Sequence, residues 1–294
     1  MYRPGGVDAR ASPDCHLLRW AVRTRVAAIG LLLLLGSAAY VQAQFGFRGF
    51  GLGVRMAPTE REDGDFAICR IMYQSVRGAR AAGGGWSTDY PLGETNLSVR
   101  VSELTRTRVS RDRFGQPNHW VVRLTDDELF DCPFTMASDV GTMYLSPPEA
   151  DRLREYLLKG GFLWVDDFWG EDAWAYWAAE IGKALPPAEF PIEDIPADDS
   201  IFSSQFDVER FPQIPRLPYW IASGGDTSEL GPETAVPHFR AIRDAHGRIM
   251  VVMTHNTDVA DSWEREGEDP GFFYQFSPDG YALGINVLLH AMTH

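Results

Sequence analysis

Ser146 to Trp169 reads SPPEADRLREYLLKGGFLWVDDFW, and its pattern decides the fold. Ser146 and Glu149 have the spacing of a capping box, and Pro147 stands at the first helical position. Leu153, Tyr156 and Leu157 fall on one helical stripe, with Asp151, Arg152 and Lys159 off it. Gly160-Gly161 ends the helix, because glycine takes the left-handed conformation without steric cost. Phe162 to Val165 is a short unbroken apolar run, as expected of a strand buried on both faces of a parallel sheet. Asp166 and Asp167 follow that strand at its C-terminal end, where open α/β sheets bind ligands.

The same alternation continues on either side. Strands are expected at Phe66–Tyr73, His119–Leu124 and Pro133–Ala137, and helices at Pro91–Thr105 and Ala173–Ala184. Pro237–Arg243 and Arg248–Thr254 read as a hairpin turned at Gly247, and 278–293 as a terminal helix. The expected fold is therefore three-layer α/β: a mostly parallel sheet, helices on both faces, and one antiparallel edge hairpin. Residues 185–235 interrupt the pattern. They are rich in proline and aromatics, too long for a plain connection and too aromatic for disorder. They read as an ordered, irregular insertion into a single domain spanning 65–294, one that walls the site.

The first 43 residues read as an export signal. Arg19, Arg23 and Arg25 precede the apolar run Val26 to Ala39, and Val41-Gln42-Ala43 offers a small-residue cleavage site. A spanning helix needs about 20 apolar residues, so a membrane anchor over 26–43 is the lesser alternative. Residues 44–64 form a Gly-rich, then charged, linker. The destination is periplasmic or extracellular, with membrane contact only through the N-terminal segment. An oxidising compartment permits a bridge, but spacing alone leaves open whether Cys69 and Cys132 pair or merely fill core.

Net charge is −14, of which residues 1–43 carry +3 and the body −17. So acidic a body excludes nucleic acid as a partner and favours cations, cationic ligands or basic partners. The glycine-rich stretch Arg77–Gly85 matches neither GxxxxGK[ST] nor GxGxxG, which argues against a nucleotide site.

Three loops should meet at one rim, since each follows a strand: Gly83–Asp89, Asp166-Asp167, and His255–Glu264. With Ser138 and Asp139 beside them, the candidate ligand-binding residues are Trp86, Ser87, Asp89, Ser138, Asp139, Asp166, Asp167, His255, Asn256, Asp258 and Trp263. That many carboxylates in one cleft repel one another unless some protonate or bind a cation. Oxygen ligands suit Ca²⁺ or Mg²⁺, with Asp167, Asp258 and Asp261 as candidate metal ligands. Asp166, Asp167 and His255 are the catalytic candidates if the chain is an enzyme. The bland reading of the same residues stays open beside this one: Asp166 accepting backbone N–H groups, Asn256 and Asp258 closing turns, the tryptophans filling core.

FAICRIMY (66–73), GGWSTDYP (84–91), LTDDELFDCPF (124–134), YLLKGGFLWVDD (156–167) and HNTDVADSWE (255–264) together resemble the bacterial domain of unknown function 4159. The resemblance covers about 65–293 and implies a divergent, glutamine-amidotransferase-like fold within the broad flavodoxin-like class. In true amidotransferases the corresponding strand leads into a cysteine elbow. Asp166, Asp167 and Phe168 stand there instead, which implies loss of that activity. The expected function is an exported domain binding a small molecule, carbohydrate or envelope protein at an acidic site. A carbohydrate- or envelope-directed hydrolase using Asp and His, and a non-catalytic envelope scaffold, remain alternatives.

Overall fold

The computed structural model describes residues 54–61, 63–76 and 85–294. The expected signal segment, most of the linker and the glycine run before Gly85 lie outside the described residues. In chain order the elements are β1 (Ile68–Met72), β2 (Gln74–Ser75), α1 (Leu92–Leu104), β3 (His119–Arg123), β4 (Phe134–Ser138), β5 (Met143–Tyr144) and α2 (Pro147–Leu158). Then follow β6 (Phe162–Phe168), α3 (Gly170–Ala184), β7 (Ile192–Asp194), α4 (Leu217–Ser223), β8 (His238–Arg243), β9 (Ile249–His255), α5 (Asp261–Glu264) and α6 (Pro270–Thr293).

Seven strands form one sheet in the order β3-β1-β4-β6-β9-β8-β7. The first five are mutually parallel, and β8 and β7 complete the sheet antiparallel. Taken in chain order the parallel strands run 2-1-3-4-5, the doubly wound arrangement whose direction reverses between β1 and β4. α1 and α6 pack one face through Leu97, Val101, Leu283 and Val287; α2 and α3 pack the other through Leu153, Leu157, Trp177 and Ile181. The three-layer α/β expectation holds.

The stretch that decided the fold behaves as its residues dictate. Glu149 reaches back to accept from the Ser146 N–H at 2.9 Å, opening α2. Gly161 is required for space: a Cβ there would meet the Tyr156 ring at 2.4 Å. The Tyr156 hydroxyl in turn donates to the Cys132 carbonyl at 2.6 Å, locking helix to sheet.

Two expectations need correction, and two features go beyond expectation. β6 does not end at Val165 but runs through Asp166 and Asp167 to Phe168. Val165 pairs with Met253 and Phe168 with His255, so the two aspartates oppose the single residue Thr254. That is a β-bulge, and it turns Asp167 into the left-handed region at φ 54°. The expected antiparallel hairpin is present as β8 and β9, and Ile192–Asp194 of the insertion adds a further antiparallel strand to β8. The terminal helix begins at Pro270, not Pro278. Asp269 caps it, accepting from the Phe272 N–H at 2.9 Å, and Pro270 fits the first turn. Pro278 removes the partner of the Tyr274 carbonyl, but Tyr274 is 79% exposed and lies on the watery side. Finally, β2 and β5 make a separate two-stranded ribbon that no periodicity announced.

The 185–235 insertion is ordered and contributes Ile195, Ile201, Phe202, Ile214 and Leu217 to the core. Cys69 of β1 and Cys132, just before β4, form a disulfide. Both lie on the α2–α3 face, and Arg61 donates to the Cys132 sulfur at 3.2 Å. The bridge closes a 63-residue separation. Closure of a loop that long removes about 4 kcal/mol of denatured-state entropy. The Cys69→Ala/Cys132→Ala double variant is expected to lose stability of that order, read as a lowered urea midpoint with a raised m value, because the freed denatured chain exposes more surface.

Candidate functional site

The bulge and the topological reversal bring three chain segments to one crevice at the C-terminal edge of the sheet. Asp89 follows the turn Gly85–Ser87 and precedes α1. Asp167 ends β6. Asp258 lies between β9 and α5. Carboxylate oxygens of Asp89, Asp167 and Asp258 all lie within 4.8 Å of one another. Asp89, Asp261 and Glu264 form a second triad of the same tightness, so Asp89 belongs to both. A cavity of about 300 Å³ opens onto these five side chains, with Arg216, Glu229 and Arg265 at its wall.

Each acid is held by a specific donor. Ser138 Oγ donates to Asp89 Oδ2 at 3.2 Å, and Trp169 Nε1 to Asp167 Oδ1 at 3.1 Å. The Asp261 N–H donates to Asp258 Oδ1 at 2.9 Å. Asp261 accepts from the Leu217 N–H at 2.6 Å, which ties the insertion to the site. Arg265 pairs with Asp261 at 3.2 Å and Glu264 at 2.7 Å, and Arg216 with Glu229 at 3.2 Å.

Burial, and then the charges of neighbouring acids, push Asp89, Asp167 and Asp258 well above the ordinary carboxylate range. Burial first, then the neighbouring acids Asp261 and Glu268, raise Glu264 to about 7 against the opposing Arg265, and burial raises Asp139 to about 6. Among the described residues four non-glycines have positive φ: Asp89, Asp139, Asp167 and Asn256. Asp139 and Asn256 sit just past the ends of β4 and β9, Asp167 in the β6 bulge and Asp89 just before α1, and such conformations cost about 1–3 kcal/mol each.

A family model matches residues 68–292. The chain belongs to DUF4159, a domain of unknown function. Among curated proteins nothing matches it.

Within this DUF4159 domain, several expected site residues do other work. Asp166 does not face the cavity. It is fully buried, bonded to the Thr254 hydroxyl, and accepts from the Ala260 N–H at 2.8 Å. His255 lies on the opposite sheet face, because side chains alternate and its neighbour Thr254 already points to Asp166. Its Nε2 is 3.1 Å from the Gly170 carbonyl, and its ring lies 4.9 Å from Phe168 and 5.3 Å from Trp174. Burial lowers its pKa to about 4. Asn256 braces loops, accepting from the Gly170 N–H at 2.9 Å and donating to the Val236 carbonyl at 3.0 Å. Trp263 is wholly in the core, edge-on to Trp164 at 5.5 Å. Trp86 is half-buried against Tyr90, while Ser87 lines the cavity. Asp139 accepts from the Gly85 N–H at 3.1 Å and anchors that turn.

Sequence reading missed Arg216 and Glu229, which irregular backbone delivers, and the buried pair Arg70–Glu94. A signal for Arg70 existed: it is the one charge inside the apolar run FAICRIMY.

The raised carboxyls make a signed prediction. An acid with a higher pKa when folded gives stability that is present at low pH and is lost as pH rises. His119, His255 and His290, each lowered to about 4 by burial, act oppositely, but only below about pH 6.5. Above pH 7 the imidazoles are neutral in both states and the carboxyls alone remain. In chelator, the melting temperature is expected to fall from pH 7 to pH 9, and Asp258→Asn to flatten that slope. Scanning calorimetry across this range checks both.

Proposed function

We propose that this domain is exported and binds a hard divalent cation, Ca²⁺ or Mg²⁺, in the carboxylate cavity, where the cation can hold an oxygen-bearing ligand. One observation carries the reading: two triads of carboxylates, all buried but the half-buried Glu264, each within 4.8 Å and sharing Asp89. Two unit charges at that separation repel by about 3–4 kcal/mol at an effective dielectric of about 20. One triad holds three such pairs, about 10 kcal/mol in all, comparable to the whole stability of a typical domain. The charges cannot coexist bare, so protons or a cation must neutralise them. Oxygen-only donors of this kind suit a hard cation rather than zinc or copper.

Other features support the rest. A disulfide persists in oxidising compartments, which favours the exported destination. No helix of the described residues is long and apolar enough to cross a membrane. Cys69 and Cys132 are joined, so neither supplies the thiol that amidotransfer needs. A hydrolase using Asp167 with His255 would need the two side chains on one side of the sheet, and His255 points away.

Titration calorimetry with CaCl₂ and MgCl₂ tests the reading. Wild-type protein is expected to bind one of them, more tightly at pH 8 than at pH 6. At a ligand concentration of about 100 times Kd the gain in stability is about 2.7 kcal/mol. Asp167→Asn and Asp258→Asn are each expected to weaken binding at least tenfold. No heat and no melting shift with either ion in the wild type would end the proposal.

A further inference from the structure

Directly beneath the cavity lies a charge that the fold does not need. Arg70 occupies the middle of β1 on the α1 face, among Ile68, Leu97 and Phe134, and is fully buried. Its Nε is bonded to Glu94 of α1, and its Nη1 donates to Ser138 Oγ at 2.6 Å. Among the described residues its Nη2 and Glu94 Oε2 have no partner. Desolvating an arginine and a glutamate costs several kcal/mol per ion, and a well-packed apolar pair of similar volume is often as stable or more so. Stability alone therefore gives no reason for this pair.

Its outlet gives one. Ser138 Oγ accepts from Arg70 and donates its own proton to Asp89 Oδ2 at 3.2 Å. The chain Glu94–Arg70–Ser138–Asp89 thus ends on the carboxylate common to both triads. The donor is itself fixed: the Tyr73 hydroxyl is 2.7 Å from the Ser138 carbonyl and 2.8 Å from the Asp139 carbonyl, pinning the end of β4. An arginine fork held at two points sets the serine rotamer, and the serine hydrogen then has one direction left to donate.

We infer that Arg70 and Ser138 are positioning residues that hold the Asp89 carboxylate as the shared corner of the two carboxylate triads. The inference rests on the cation reading above. It predicts that this buried network serves affinity more than stability.

Three variants and the wild type are compared by titration calorimetry with Ca²⁺ and Mg²⁺, and by thermal unfolding. Ser138→Ala is expected to weaken cation binding at least tenfold, and Ser138→Thr, which keeps the hydroxyl, to restore most of it. Arg70→Met/Glu94→Leu removes the pair together, so no buried charge is stranded. It is expected to melt at or above the wild-type temperature while binding at least tenfold more weakly. A purely structural network would give the reverse, a lowered melting temperature with unchanged affinity. Wild-type binding that Ser138→Ala and the double variant both retain overturns the positioning role alone. A silent wild type overturns the cation reading and this inference with it.

Discussion

The carboxylate of Asp166 is the joint on which the site depends. It is fully buried, bonded to the Thr254 hydroxyl on β9, and holds the Ala260 N–H beyond it. Trp164 Nε1 also donates to that hydroxyl at 3.0 Å, so the joint sits on a rigid aromatic floor. Because both strands are tied at this point, the residues just past the tie face each other. Asp167 leaves the bulge in the left-handed conformation and meets Asp258, which leaves the β9 loop. Adjacent aspartates in a regular strand would point to opposite faces. The bulge resolves this: one aspartate serves as a structural acceptor below, and the other is released into the cavity.

Such a site is expensive to hold. Left-handed aspartates, desolvated acids and a buried arginine all work against folding. The compensation is spread through the molecule. Two apolar layers cover a sheet whose central strands are buried on both sides. The disulfide fastens β1 to the approach of β4, the two strands between which the chain reverses. The insertion adds its own apolar residues to both layers while fixing Asp261 through the Leu217 N–H. Rigidity on this scale is what allows acids to be kept close without relaxing apart.

Elements governed by local rules were legible in the sequence. The capping box, the glycine stop and the apolar run named α2 and β6 because each signal acts within a few residues. The meeting of the Asp167 and Asp258 loops also followed, since strand ends in a parallel sheet share one edge. What stayed hidden depended on register. The bulge at Asp166-Asp167 can be seen only against Thr254 on another strand. Thr254 in turn decides that His255 faces away, so the histidine that looked most chemical in the sequence is a packed core ring. Trp263 misled for a related reason: four residues of α5 turn it under the acids rather than among them. Arg216 and Glu229 come from proline-rich backbone without period, where position cannot be computed from spacing.

The placement of the three aspartates bears on what they can bind. Asp89, Asp167 and Asp258 each stand two residues before the N-cap of a helix, at Pro91, Trp169 and Ala260. In doubly wound folds such helix starts normally offer their positive ends to a ligand's phosphate. Here the protein's own acceptors take two of these starts, Asn256 and Glu233 at the Gly170 and Glu171 N–H groups and Asp258 at the Asp261 N–H, so the crevice presents negative charge where the architecture would otherwise present positive. The helices cannot neutralise what they face. A helix terminus favours an anion by about 0.3–1 kcal/mol, against about 3–4 kcal/mol of repulsion for each close carboxylate pair. The balance is left to Arg216, Arg265 and the buried Arg70, and all three are already paired, with Glu229, with Asp261 and Glu264, and with Glu94. An anionic ligand therefore has no electrostatic reason to enter this crevice unaided, and a cation has several.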